Sequence, residues 1–287
     1  MFAGEKRRIG RGILAIVLLA GGMFAFSIGI ALAAAALDTQ LGNTNPTLGG
    51  TDFTPLYHAG NLFSIALLIP WSMCLQRWLY GVKGASLHSV VSRFRFDLFG
   101  RALLLIGPLW LIISVAMVVL MPKDQVHWSF VDLISIFTIT LLLTPLQGAG
   151  EEYGFRGLVF RVAGSWGRGP RTALFLGVLV SSLVFAVVHL STDPWLNLLY
   201  FTIGVSMAVI TWRTGGIEVA VVFHALNNTL AFLLFTALHA DQNAAMERST
   251  GTGSIALLLP CVCLVAITAV VWWRTRRTGP ALTPSGL

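Results

Sequence analysis

The stretch Gly150-Glu151-Glu152-Tyr153-Gly154-Phe155-Arg156 sets three charges inside a sequence that is otherwise mostly apolar. A charged side chain at hydrocarbon depth costs about 2.5–3.5 kcal/mol on insertion scales, so a pair of carboxylates there is read first as functional. On a helix, Glu152 and Arg156 stand at i and i+4 with the acid N-terminal, the orientation in which such a pair attracts best. That spacing predicts an ion pair which neutralises one carboxylate. Glu151 lies about 100° around the helix from Glu152, off the pairing face. It must find a proton, a histidine or a metal elsewhere in the fold.

Histidines are the natural candidates. Of the six present, His189 and His224 interrupt strongly apolar runs, Phe185-Ala186-Val187-Val188-His189 and Val222-Phe223-His224-Ala225-Leu226-Asn227-Asn228. The other four, His58, His88, His127 and His239, sit near loops or span ends. His224 and Asn228 are four apart and share a helical face. Together they offer polar donors side by side, the arrangement wanted for a carbonyl oxygen gaining negative charge. The plainer use of Asn227 and Asn228 is to hydrogen-bond neighbouring helices. Glu151 and His189 flank a basic turn at Trp166 to Pro170 at similar sequence distances, so an antiparallel helix pair would bring them to comparable depth.

The elements that must hold these groups are membrane helices. The chain has 287 residues, 56% of them hydrophobic and only 11% charged. Its mean hydropathy is +0.80. That composition excludes an ordinary soluble domain and fits an all-α, polytopic bundle in lipid. A crossing needs about 20 apolar residues. Spans are expected at Gly12–Leu37, Asn61–Leu79, Ala102–Met121, Phe130–Gly164, Thr172–Leu190, Trp195–Trp212, Ile217–His239 and Ser254–Trp273. The whole chain then forms one integral membrane domain, with the chemistry concentrated between residues 130 and 239. Phe130–Gly164 is long for one plain crossing, and its middle, Thr144-Pro145-Leu146-Gln147-Gly148-Ala149-Gly150, predicts a kink or break directly before Glu151. Broken helices at membrane depth are tolerated where they line a cavity.

Charge placement orients the bundle. The net charge is +7, but the basic residues flank apolar runs instead of forming a stripe, and no nucleic-acid motif accompanies them. With the N-terminus in the cytoplasm, seventeen of the nineteen Lys and Arg fall at or toward the inner side, including Lys6, Arg7 and Arg8, and only Lys123 and Arg248 fall outside. Both termini are then cytoplasmic in the plasma membrane. The first apolar run exceeds the core of a signal peptide and reads as an uncleaved helix. Cys74, Cys261 and Cys263 lie in apolar runs and read as small buried hydrophobes.

Taken in order, Glu151-Glu152 with Arg156, Phe185 with His189, and His224 with Asn228 reproduce the pattern EExxxR, FxxxH, HxxxN on successive helices. In this the chain resembles the CPBP intramembrane proteases, the Abi-like group that includes CAAX prenyl protease 2 and bacteriocin-processing or self-immunity proteins. The resemblance covers roughly residues 130 to 239. It implies hydrolysis of a peptide bond in a membrane-anchored peptide or protein, with the bilayer as the other partner. Under it, Glu151 is the base that activates water, and His189 assists it or holds the same water. His224 and Asn228 stabilise the oxyanion, and Glu152 with Arg156 forms an orienting pair that could contact the substrate's carboxyl terminus.

The group is commonly described as metalloproteases. A single zinc could be held by Glu151, His189 and His224 with one position open for water. A metal-free mechanism uses each residue once and is preferred, since a zinc-bound Glu151 could not also be the free base. The HExxH spacing of soluble zinc proteases is absent. A different class also stays open, in which a transporter or membrane-protein binding partner uses the same charges as a buried network. Oligomeric state and substrate identity are not legible in the sequence. The terminal Thr283-Pro284-Ser285-Gly286-Leu287 has no CAAX cysteine, so self-processing by that route is not expected.

Overall fold

Large apolar side chains point outward over much of this molecule: Leu104, Leu105, Val119 and Phe130 are more than 70% exposed. Polar groups such as Ser72, Thr140, Glu152, Arg156, Ser181 and Ser182 are buried. This inversion is what a lipid solvent selects. Hydrocarbon favours apolar side chains on the outside and drives polar ones to seek partners between helices. The computed structural model describes residues 9–281. Lys6, Arg7, Arg8 and the terminal residues 283–287 lie outside the described residues.

Eight helical runs are long and apolar enough to cross a membrane. The first is α1 (Ile9–Gln40), and the second is α2 (Pro55–Ala66) continued by α3 (Leu68–Tyr80). The third is α4 (Phe96–Leu120). The fourth comprises α5 (Phe130–Glu152), a π-helical stretch (Tyr153–Val159) and α6 (Phe160–Gly164). Then come α7 (Pro170–Val187), α8 (Pro194–Thr214), α9 (Glu218–Ala237), a short loop helix α10 (Gln242–Met246) and α11 (Leu258–Thr275). The protein is an all-α, multi-pass integral membrane bundle, with no strands among the described residues. All eight expected spans recur, the second and third beginning earlier than expected, at Pro55 and Phe96.

Local sequence sets the starts. Thr54 Oγ1 accepts the Tyr57 N–H at 3.0 Å with Pro55 in the first turn, Ser129 caps Asp132, and Asp193 Oδ1 accepts from both Trp195 and Leu196. Gly81 and Gly215, with φ of 70° and 71°, close α3 and α8 in the left-handed conformation. Pro70 explains the break at Leu67, because a proline three residues into α3 has no N–H to offer Ala66.

The break expected before Glu151 is absent. The helix runs through Pro145 to Glu152, and the irregularity falls after the glutamates, as the π stretch. The glycines serve approach and not bending. A Cβ on Gly148 would sit 3.1 Å from the Ala225 backbone nitrogen, and one on Gly150 would strike the Ile65 carbonyl oxygen, with Ala66 Cα at 3.2 Å. α5 therefore lies backbone to backbone against α9 on one side and α2 on the other, its two main neighbours.

The α5–α9 pair is fastened at both ends. At one end, the loop of residues 81–95 reaches both helices. The Arg95 guanidinium forks onto Glu218 with two bonds of 2.8 Å, Ile217 N–H donates to His88 O at 3.0 Å, and His88 Nδ1 meets the Tyr153 hydroxyl. At the other end, Val126 N–H donates to His239 O and Asp241 N–H to Asp124 O, both at 2.8 Å.

Two substitutions test the close approach. Gly150→Ala is expected to destabilise the protein by about 1–3 kcal/mol, because the neighbouring backbone cannot give way as a side-chain end can. Gly29→Ala, where a methyl meets nothing within 4 Å, is expected to be neutral or slightly stabilising. Thermal unfolding in detergent reads both; equal midpoints for the two variants would refute the packing role.

Candidate active site

Glu151 and Glu152 end α5, where Gln147 through Glu152 form a continuous buried stretch. The following seven residues, Tyr153 to Val159, are all buried and π-helical. A π turn admits an extra residue per turn and so re-aims the side chains on either side of it. Within this geometry the Glu152–Arg156 ion pair forms, Arg156 Nη1 lying 3.0 Å from Glu152 Oε1 with both side chains 0% exposed. Phe185 covers the guanidinium, its ring centroid 4.2 Å from Arg156 Cζ. A further Arg156 nitrogen donates to the Ile203 carbonyl at 3.4 Å.

His224, from α9, bridges the two glutamates. Its Nδ1 lies 2.7 Å from Glu152 Oε1 and its Nε2 3.4 Å from Glu151 Oε2. Glu152 already balances Arg156, and its carboxylate can only accept, so Nδ1 carries a hydrogen. Nε2 and Glu151 Oε2 then face each other, and a single proton must lie on one of them. Either Glu151 is a neutral acid beside a neutral ring, or it is a carboxylate beside an imidazolium. Both descriptions leave the four-residue group with no net charge, the condition for keeping it in a dry interior.

An amide chain completes the cluster. Gln147, one turn before Glu151, donates Nε2–H to Glu151 Oε1 and accepts from Asn228 Nδ2 at 2.9 Å. Asn227 Nδ2 in turn donates to Asn228 Oδ1 at 2.9 Å. Glu151 thus finds a partner at i−4 in its own helix as well as the histidine from elsewhere. The i,i+4 rule that predicts the Glu152–Arg156 pair would have found Gln147.

His189 occupies a separate position. Its Nδ1 lies 2.6 Å from the Phe185 carbonyl oxygen, which can only accept, so Nδ1 holds the hydrogen and Nε2 presents a lone pair. The ring stacks on Tyr200 at 3.9 Å between centroids. The Phe185 ring joins the two histidines, with centroids 4.7 Å from His189 and 5.8 Å from His224. Among the remaining histidines, His58 is buried against Thr140 at 2.8 Å and His88 holds Tyr153. His127 and His239 lie together at the opposite loop end. Sequence reading missed Gln147, Tyr200 and Arg248, whose guanidinium donates to the Tyr200 hydroxyl.

Among the described residues no group of three His, Cys, Asp or Glu side chains converges to hold a metal ion. Glu151 and His224 meet, while His189 is held by the Phe185 carbonyl and by Tyr200.

Residues 133–230, the segment holding Gln147, Glu151, Glu152, Arg156, His189, His224 and Asn228, match the family described as Type II CAAX prenyl endopeptidase Rce1-like. A curated relative, the uncharacterized protein YyaK of Bacillus subtilis (strain 168), is 31% identical over 107 residues. That alignment covers 35% of this chain and 34% of YyaK, so the chain spans about a third of the relative it matches. No solved structure matches the chain. The Rce1-like match agrees with the CPBP resemblance of the sequence motifs.

The ion pair yields a prediction about stability. Arg156→Met is expected to destabilise the protein by about 3–5 kcal/mol, since it strands a buried carboxylate. Glu152→Gln/Arg156→Met removes both charges and is expected to cost less than Arg156→Met alone. Thermal midpoints of the three proteins in detergent decide it; a double variant weaker than the single one would show that the pair itself supplies the stability.

Proposed function

We propose that this protein is an intramembrane endopeptidase that hydrolyses a peptide bond in a membrane-anchored peptide or protein by a metal-free, glutamate-dependent route. The observation that carries this reading is His224 bridging two buried carboxylates, its Nδ1 beside Glu152 and its Nε2 facing Glu151. In the reactive form Glu151 is the carboxylate and His224 the imidazolium, stabilised by Glu152. Glu151 takes a proton from water as the water oxygen attacks the scissile carbonyl carbon. His189 Nε2, with its lone pair free of the Phe185 bond, accepts from the same water and orients it. The carbonyl oxygen becomes an oxyanion and is met by His224 Nε2–H. Asn228 has a second amide hydrogen beyond the one given to Gln147 and adds to that stabilisation. Collapse breaks the C–N bond, and the proton held by Glu151 passes to the leaving amine. Glu152 and Arg156 act as positioning residues. They hold the His224 ring in one orientation, as Gln147 fixes the direction of Glu151.

The same reading puts the protein in the plasma membrane with both termini cytoplasmic, supported by the distribution of Lys and Arg among the loops.

The test uses purified full-length protein in detergent and a panel of membrane-anchored peptides. Glu151→Gln is expected to lower kcat by about 10²–10⁴-fold, the usual loss when a general base is removed. Wild type treated with a chelator is expected to keep its activity. Retained cleavage in Glu151→Gln would overturn the assignment of the base. Loss on chelation, restored by zinc, would replace the metal-free route with a metal-dependent one.

A further inference from the structure

The last link of the cluster lies beyond the proposed catalytic groups, at the end of the bundle where α7 stops and α8 begins. Arg248, in the connection between α10 and α11, donates a guanidinium N–H to the Tyr200 hydroxyl, and its Cζ lies 5.5 Å from the Tyr200 ring centroid. Tyr200 is the ring stacked on His189. The Arg248 side chain is half-buried, and among the described residues it has no carboxylate within ion-pair distance. The neighbouring acid does not neutralise it: Glu247 Oε1 accepts the backbone N–H groups of Arg248 and Ser249 instead.

The segment carrying Arg248 is built, not loose. The Arg248 carbonyl accepts the Thr192 N–H at 3.0 Å and the Ser191 hydroxyl at 3.1 Å. Thr250 Oγ1 reaches the Thr192 carbonyl at 3.1 Å, and Gly251 N–H donates to Asp193 Oδ2 at 2.9 Å. These bonds stitch residues 248–251 onto residues 191–193, directly after His189. A guanidinium offers five donors in a planar fork suited to a carboxylate, and one of them is spent on Tyr200. The catalytic cluster is neutral as a whole, so this cation is not needed to balance it.

We infer that Arg248, oriented by Tyr200, is a binding site for a carboxylate of the substrate, on the portion of the peptide that projects past His189 toward this end of the bundle. The carboxylate is either the free C-terminus or an acidic side chain near the cleaved bond. Recognition of a charged group at this point fixes which bond lies over Glu151, and so sets specificity. The inference rests on the endopeptidase reading for its meaning, but its measurement does not require turnover.

Equilibrium binding of fluorescent membrane-anchored peptides to Glu151→Gln protein in detergent tests it. Three peptides of one sequence are compared: a free C-terminal acid, its C-terminal amide, and a version whose acidic side chains are replaced by amides. The background protein is expected to bind one acid form about 10–100-fold more tightly than its neutralised counterpart, the range of a charge-assisted hydrogen bond. Which counterpart weakens identifies the source of the carboxylate. Adding Arg248→Gln is expected to erase that discrimination, and Arg248→Lys to restore part of it. Equal binding of all three peptides before Arg248 is changed would overturn the inference. So would an Arg248→Gln effect of the same size on acid and amide forms, which marks a structural support for His189. If the acid form is discriminated and wild type cleaves nothing, the endopeptidase reading fails while the carboxylate site stands.

Discussion

A buried interior will not hold an unbalanced charge, and in this protein that constraint converges on one imidazole. His224 is the group through which two adjacent carboxylates and one guanidinium become a neutral set. Without the ring, Glu151 would be a second negative charge beside Glu152 with only an amide for company. Both would stand at a depth where water is scarce. The backbone contact of α5 with α9 through Gly148, the Phe185 plate over Arg156 and the loop of residues 81–95 all keep that ring where the carboxylates need it.

The arrangement divides the polar groups by what their hydrogens can do. His224 commits Nδ1 to a carboxylate and leaves Nε2 to share a proton, whereas His189 commits Nδ1 to a carbonyl and leaves a lone pair. Two histidines on one phenylalanine ring therefore differ in chemistry because their partners differ, one an anion and the other a neutral peptide group. Gln147 plays both parts at once, donor to Glu151 and acceptor from Asn228, which an amide can do and a carboxylate or an ammonium cannot.

How far the sequence could be read follows from the range of the forces involved. Bilayer thickness acts on runs of residues along the chain, so all eight crossings were legible, down to the ends of Phe130–Gly164. The Glu152–Arg156 pair was legible because i,i+4 neighbours are fixed by the helix itself. Gln147 obeys the same rule and was readable in principle. The π stretch was not, because a period of 3.6 is assumed wherever a helix is expected, and that assumption placed the irregularity at Pro145 instead of after Glu152. The glycines before Glu151 suggested bending because their neighbours across the helix interface are invisible to a one-dimensional reading. Tyr200 and Arg248 belong to other helices and loops, and no spacing in the chain connects them to His189.

The fastenings at both ends of the α5–α9 pair have a consequence for motion. Arg95 and His88 clamp one end, and the pairing of residues 124–126 with 239–241 clamps the other, so these two helices cannot part without breaking contacts at both ends. The elements that carry Glu151, Glu152 and His224 are thus held to one another on either side of the place where the imidazole meets the two carboxylates. What these ties oppose is any parting of the acids from the ring that neutralises them, so the charge balance of the interior is guarded from outside it.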